Sequence, residues 1–147
     1  MTSPEINILA IIVAGLIPSI LGAIYYGPLF EKQWLSSLGK TKEEMIPNNM
    51  AITYGLALLA ALLLSFSLKM LIELLHRGVE NGELAYISEH NFGHGAFHGA
   101  FIFAFLICPV VLSLSLFQKN SGKNILLNIG FWIACGALMG GILDSWN

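Results

Sequence analysis

The chain has 147 residues, of which 56% are apolar and 11% charged, with a net charge of −2. Soluble domains carry roughly 25% charged residues, so the composition excludes a globule coated by water. The lack of a basic surplus also excludes a nucleic-acid-binding surface. A lipid bilayer is the partner that removes the need for a charged coat.

A spanning helix takes about 20 mostly apolar residues, each rising ~1.5 Å through a ~30 Å hydrocarbon core. Four stretches satisfy this, at about 6–26, 51–75, 96–117 and 125–143. Lipid offers no partner to an open sheet edge, so each must coil. The expected architecture is all-α: one compact transmembrane domain, 1–147, of four helices.

In chain order, Met1-Thr2-Ser3-Pro4-Glu5 brings no Lys or Arg before the first apolar run, unlike a signal peptide. Gly27-Pro28 ends the first span, because Pro cannot continue a hydrogen-bonded helix. Thr41-Lys42-Glu43-Glu44 has the form of a capping box and predicts the start of a short interfacial helix. Residues 77–95 read as a polar, Gly-rich loop and 118–123 as a tight turn. Pro109 predicts a kink in the third span. Cys108 and Cys135 lie in apolar runs and read as buried free thiols.

Four crossings place both termini on one side. The two loops on the other side carry Lys32, Lys40, Lys42, Lys119 and Lys123, against Lys69 and Arg77 on the terminal side. The positive-inside rule then puts both termini outside a cytoplasmic membrane. Tyr25, Tyr26, Phe30 and Trp34 would form an aromatic belt at the inner boundary, with Trp146 at the outer one.

Helices in lipid associate through small residues and hydrogen bonds. Gly95-x-x-x-Gly99, Gly136-x-x-x-Gly140, the Ala57-Ala61-Ser65 stripe and the Gly15-Ser19-Gly22 stripe are such surfaces. They build the internal bundle, or, alternatively, a homo-oligomer or a contact with another membrane protein.

Ionisable groups gather toward the terminal side. Lys69, Glu73, His76 and Arg77 end the second span; His90, His94 and His98 recur every fourth residue where the third begins. Glu83 and Glu89 are close by in sequence, Asp144 ends the fourth span and Glu5 precedes the first. Three readings remain open. One is a solvated loop with local pairs such as Lys69–Glu73. Another is a divalent transition-metal site using His94, His98 and Glu73, with His90 and His76 as further candidates. The third is a proton relay through histidines. Glu73-x-x-His76 occurs once, so the paired unit of a di-iron bundle is missing. No complete catalytic or cofactor-binding signature is present.

Several segments carry a resemblance. They are Tyr25-Tyr26-Gly27-Pro28-Leu29-Phe30 with Lys32 and Trp34, Asn49-Met50-Ala51, His98-Gly99, Leu127-Asn128-Ile129-Gly130-Phe131-Trp132 and Met139-Gly140-Gly141-Ile142-Leu143. Across nearly the whole chain they resemble the membrane family called domain of unknown function 1761. The resemblance implies a bacterial multi-pass protein of the inner membrane and implies no activity. His90 and His94 lie outside the matching segments, whereas Tyr26, Gly27, Pro28, Asn128, Gly130, Gly136 and Gly140 are its motif and packing positions. The expected role is a non-enzymatic accessory or structural subunit. The alternative is transport or sensing of a cation, proton or metal, and an enzyme built on His98 with Glu73 or Asp144 ranks third.

Overall fold

The computed structural model describes residues 6–80, 83–86 and 90–146, with backbone alone for 79, 80 and 83–86. The elements are α1 (Ile8–Ile24), α2 (Glu31–Leu38), α3 (Met50–Leu75), β1 (Arg77–Glu80), β2 (Glu83–Tyr86), α4 (Phe92–Ile102), α5 (Cys108–Phe117) and α6 (Gly122–Ser145). Each span opens on a polar side chain that accepts an otherwise orphaned amide. Asn7 caps α1, Asn49 caps α3, Asn91 caps α4 and Ser121 caps α6. The helical stretches long and apolar enough to cross a membrane are Ile8–Leu29, Met50–Leu75, Phe92–Phe117 and Gly122–Ser145. Leucines and phenylalanines such as Leu59, Leu63, Phe97 and Phe105 stay exposed along them. That surface suits lipid and would be untenable in water. The chain is an all-α, multi-pass membrane protein.

Two spans are locally re-wound at proline. α1 continues through a wider, π-type turn over Tyr25–Leu29, in which Gly27 leaves helical geometry (φ −98°, ψ −112°). A second π-type turn, Phe103–Ile107, precedes α5, where Pro109 has no amide to return to the preceding turn. The break expected at Gly27-Pro28 is therefore a change of winding, and α2 follows it directly. The Thr41–Glu44 capping box does form: Thr41 N donates to Glu44 Oε2 at 2.7 Å, and Glu44 N to Thr41 Oγ1 at 3.4 Å. It opens only one 3-10 turn, Glu43–Met45, because Pro47 follows. The loop expected over 77–95 contains an antiparallel hairpin with Arg77 opposite Tyr86, and α4 begins four residues before Ala96 because Asn91 caps it.

The core lies where α6 meets the other spans, around Phe103, Phe131, Cys135, Met139 and Leu143. α4 and α6 make the most extensive contact. It is a backbone-to-backbone seam: a Cβ on Gly99 would overlap the Gly136 carbonyl, and one on Gly140 the Gly95 carbonyl. Both Gly-x-x-x-Gly segments are thus used inside the chain, where they let two helices approach as only hydrogen side chains allow. α1 and α3 meet similarly at one end. Leu62 covers Gly15, and the buried Ser65 hydroxyl donates to Ile11 O at 2.8 Å. Toward the other end of α1 and α3 the small residues Ser19, Gly22 and Ala57 do not close but line a cleft.

At the lysine-bearing end, the tyrosines turn inward rather than forming a belt. Tyr25 OH donates to Leu127 O at 3.1 Å and Tyr26 OH to Asn128 Oδ1 at 2.7 Å, with both rings against Phe131. Asn128 Nδ2 donates to Asn124 Oδ1, and Asn124 Nδ2 to Ser37 Oγ, which ties α2 under the bundle. Gly130 leaves the space that the Tyr25 hydroxyl occupies.

Candidate metal centre

The end opposite the lysine loops gathers the C-termini of α3 and α6 and the N-termini of α1 and α4. Asn7 Nδ2 donates to Trp146 O at 2.6 Å, which joins the first span to the last. Here the glycine seam has its effect on chemistry. Because Gly95 and Gly99 carry no side chain, α4 lies close enough to α6 for its histidines to reach Asp144, which is fully buried.

Asp144 is the hub. His90 Nδ1 donates to its Oδ1 at 2.7 Å, and the Asn91 amide to its Oδ2 at 3.3 Å. His76 Nδ1 lies 3.5 Å from Oδ1 and His94 Nδ1 3.6 Å from Oδ2. His76 caps the end of α3 and is buried; burial holds its imidazole below the usual histidine range, with Asp144 opposing that shift and the other histidines reinforcing it. Its Nε2 is 3.2 Å from His94 Nδ1, the two rings stacked at 4.8 Å, while the His98 ring is 4.3 Å from that of His94. His98 Nδ1 is enclosed and has no hydrogen-bond partner among the described residues.

Two triads of potential ligands result, His76–His94–His98 and His76–His90–Asp144, in each of which the ligand atoms lie within 4.8 Å of one another. A tetrahedral ion with ~2.0–2.1 Å bonds to nitrogen separates its ligands by about 3.3 Å. The His76–His94 separation of 3.2 Å already has that value. A metal-bound histidine ordinarily gives its second N–H to a carboxylate, which fixes the ring and raises its basicity. Asp144 stands on the Nδ1 side of His76 for that role, leaving Nε2 toward His94.

Glu73 is placed elsewhere. Lys69 Nζ donates to Glu73 Oε1 at 2.5 Å and also to Leu143 O at 3.3 Å, both side chains being buried. The two share a helix face at four-residue spacing, and a charge-assisted hydrogen bond from an ammonium is roughly twice as strong as a neutral one. Glu73 is accordingly absent from the convergent groups, and Asp144 supplies their carboxylate. Glu5 and Glu89 lie outside the described residues, as does the side chain of Glu83. His90 sits just before α4 rather than on it, yet its ring reaches Asp144 across the cap at Asn91. Cys108 and Cys135 are buried free thiols remote from this end.

No curated protein matches the chain, and neither does any solved structure. The family described as "Protein of unknown function (DUF1761)" matches residues 9–144. That match runs from the first turns of α1 to Asp144 itself and takes in the Tyr26–Asn128 contact and the glycine seam. This chain belongs to the DUF1761 family.

Proposed function

We propose that this protein is a non-enzymatic membrane subunit that holds a divalent transition metal of the zinc type at the terminal end of its bundle, as a structural or sensing site. The ligands are His76, His94 and His98, with Asp144 orienting His76 and His90 closing the carboxylate from outside. The observation that carries the reading is the convergence of three imidazoles on one buried carboxylate and of a fourth, His98, on two of them, with the His98 nitrogen enclosed and unpartnered among the described residues. A buried polar atom left without a partner calls for an explanation, and a bound ion is one that fits a nitrogen facing two other imidazoles. Charge supports it too. Lys69 and Glu73 neutralise each other, so Asp144 leaves the buried cluster one negative charge for a cation to balance.

Binding fits the bundle better than conduction. Between the histidine end and the Asn128–Asn124 end, the centre is filled by Phe103, Phe131, Cys135 and Met139. A path for ions needs polar groups or water through that layer. Five lysines occupy the opposite loops, and Lys69 is buried in its ion pair, leaving Arg77 alone among Lys and Arg at the terminal surface. The positive-inside rule then places the metal end on the outer face of a cytoplasmic membrane.

The test is a thermal unfolding series in mild detergent after chelation, with Zn²⁺ or Co²⁺ added back. An ion held at 100 times its Kd stabilises the folded state by about 2.7 kcal/mol. The expected result is an upward shift with tetrahedral Co²⁺ absorbance, both lost in His98→Ala. If no first-row divalent ion moves the unfolding transition, the proposal is wrong.

A further inference from the structure

We infer that the lateral cleft between α1, α3 and α6 holds one acyl chain of a phospholipid whose headgroup carries both a phosphate and a primary ammonium. The cleft has a volume of about 660 Å³ and is walled by Gly22, Ala57, Ala61, Leu64, Phe131 and Trp132, among others. That is the size of a specific ligand pocket rather than a packing flaw. Its origin is visible in the sequence. α1 and α3 are pinned at one end by the Ser65–Ile11 hydrogen bond and by Leu62 on Gly15. Beyond that pin the facing residues are too small to bridge the gap. Gly22 finds only the Phe131 ring at 3.7 Å, and Ala57 remains exposed.

Depth and polarity select the occupant. Along the first span the wall runs from Pro18 to Tyr26, eight helical steps or about 12 Å, close to one ~15 Å leaflet of hydrocarbon. A helix from a second copy would span ~30 Å, more than twice the length of this wall. The cleft interior suits a hydrocarbon tail, since the Tyr26 hydroxyl is already given to Asn128.

At its mouth the cleft meets a second pocket of about 250 Å³, which shares Gly22, Ala23 and Tyr26 with it and adds Trp34, Glu31 and Lys42. Glu31 and Lys42 form an ion pair at 2.9 Å, both accessible. A paired carboxylate and ammonium complement a headgroup that is itself paired: the phosphate faces Lys42 and the ammonium donates to Glu31. A quaternary ammonium could not donate there, and an anionic headgroup would leave Glu31 opposed. The apolar tail slot and the zwitterionic mouth therefore describe one amphiphile.

Native mass spectrometry tests this on the full chain in mild detergent. The probes are phosphatidylethanolamine, phosphatidylcholine and phosphatidylglycerol with identical chains. The expected result is one retained lipid per protein. Phosphatidylethanolamine should be favoured by about two- to fivefold, the upper part of the range for a partly exposed ion-pair contact. Ala57→Leu and, independently, Ser19→Leu fill the slot at exposed positions; each should abolish retention while cooperative unfolding is kept. Glu31→Gln should leave the lipid bound but equalise phosphatidylethanolamine and phosphatidylcholine. Equal retention of the three lipids, a preference for phosphatidylglycerol, retention unchanged in both cleft-filling variants, or a protein dimer in place of the lipid adduct would each overturn the inference.

Discussion

Adding one methyl group at Gly99 tests whether the helix seam sets the geometry of the histidine site. A Cβ there would overlap the Gly136 carbonyl oxygen and stand 2.9 Å from Gly140 Cα; against an optimum of ~3.5–4.0 Å for two carbons the second contact alone asks for roughly 0.6–1.1 Å, and the carbonyl overlap makes α4 and α6 part by more than that. Over-packing of this kind costs about 1–3 kcal/mol. The same displacement carries His94 away from Asp144. Metal–ligand distances tolerate only about ±0.2 Å, so Gly99→Ala should weaken Co²⁺ binding by about 10- to 100-fold, as loss of an outer-shell partner does. No ligand has been touched in this variant. The assay pairs thermal unfolding of the chelated protein with Co²⁺ titration by absorbance. Gly55→Ala is the control, because nothing lies within 4 Å of a Cβ at that exposed helical position; it should keep affinity and gain up to about 1 kcal/mol. If Gly99→Ala unfolds and binds Co²⁺ as the parent does, the seam does not position the site.

Glu73→Gln should cost about 3–5 kcal/mol of stability, because it removes the carboxylate charge that balances a buried ammonium, yet leave Co²⁺ absorbance at saturation unchanged; loss of the Co²⁺ spectrum would return Glu73 to the ligand set. Asp144→Asn should lower metal affinity by about 10- to 100-fold through the orientation of His76, read by competition with a chromophoric chelator. Acid should destabilise the chelated protein. Burial lowers His76 in the folded state, so the unfolded chain binds the extra proton first, and stability present above pH ~6.5 is lost as pH falls below it. His76→Asn should flatten that part of the pH–stability curve, and an unchanged curve would refute the assignment. Tyr26→Phe removes the hydrogen bond to Asn128 and should cost about 1 kcal/mol without changing metal affinity.

The spans were readable because length and hydropathy are properties of the chain alone. Their starts were less so. The cap at Asn91 outranks the low helix propensity of Gly93, Gly95 and Gly99, and at Gly95 and Gly99 the missing side chain is offset by contact with α6. The hairpin after Arg77 carries no strict alternation of apolar residues, so period-two reasoning passes over it. The histidines were legible as a four-residue repeat and by their common membrane face. Asp144 as their hub was not, because that depends on which of two carboxylates a distant lysine occupies. Lys69 settles it: its four-residue spacing to Glu73 was visible, but the Leu143 carbonyl that completes its coordination was not. The aromatic cluster shows the same limit. Tyr25 and Tyr26 fit an interfacial belt by position, and only their pairing with Leu127 and Asn128 turns them inward.

The carbonyl that Lys69 reaches belongs to α6, which leaves the ribosome after the other three spans. The i to i+4 contact with Glu73 can form as soon as the second helix coils, but its cover arrives with residue 143. Until then a nascent intermediate of three helices presents an ion pair at its flank, and hydrocarbon is a poor solvent for charge. Biogenesis therefore favours keeping the second helix beside the insertion machinery, or beside water, until α6 docks.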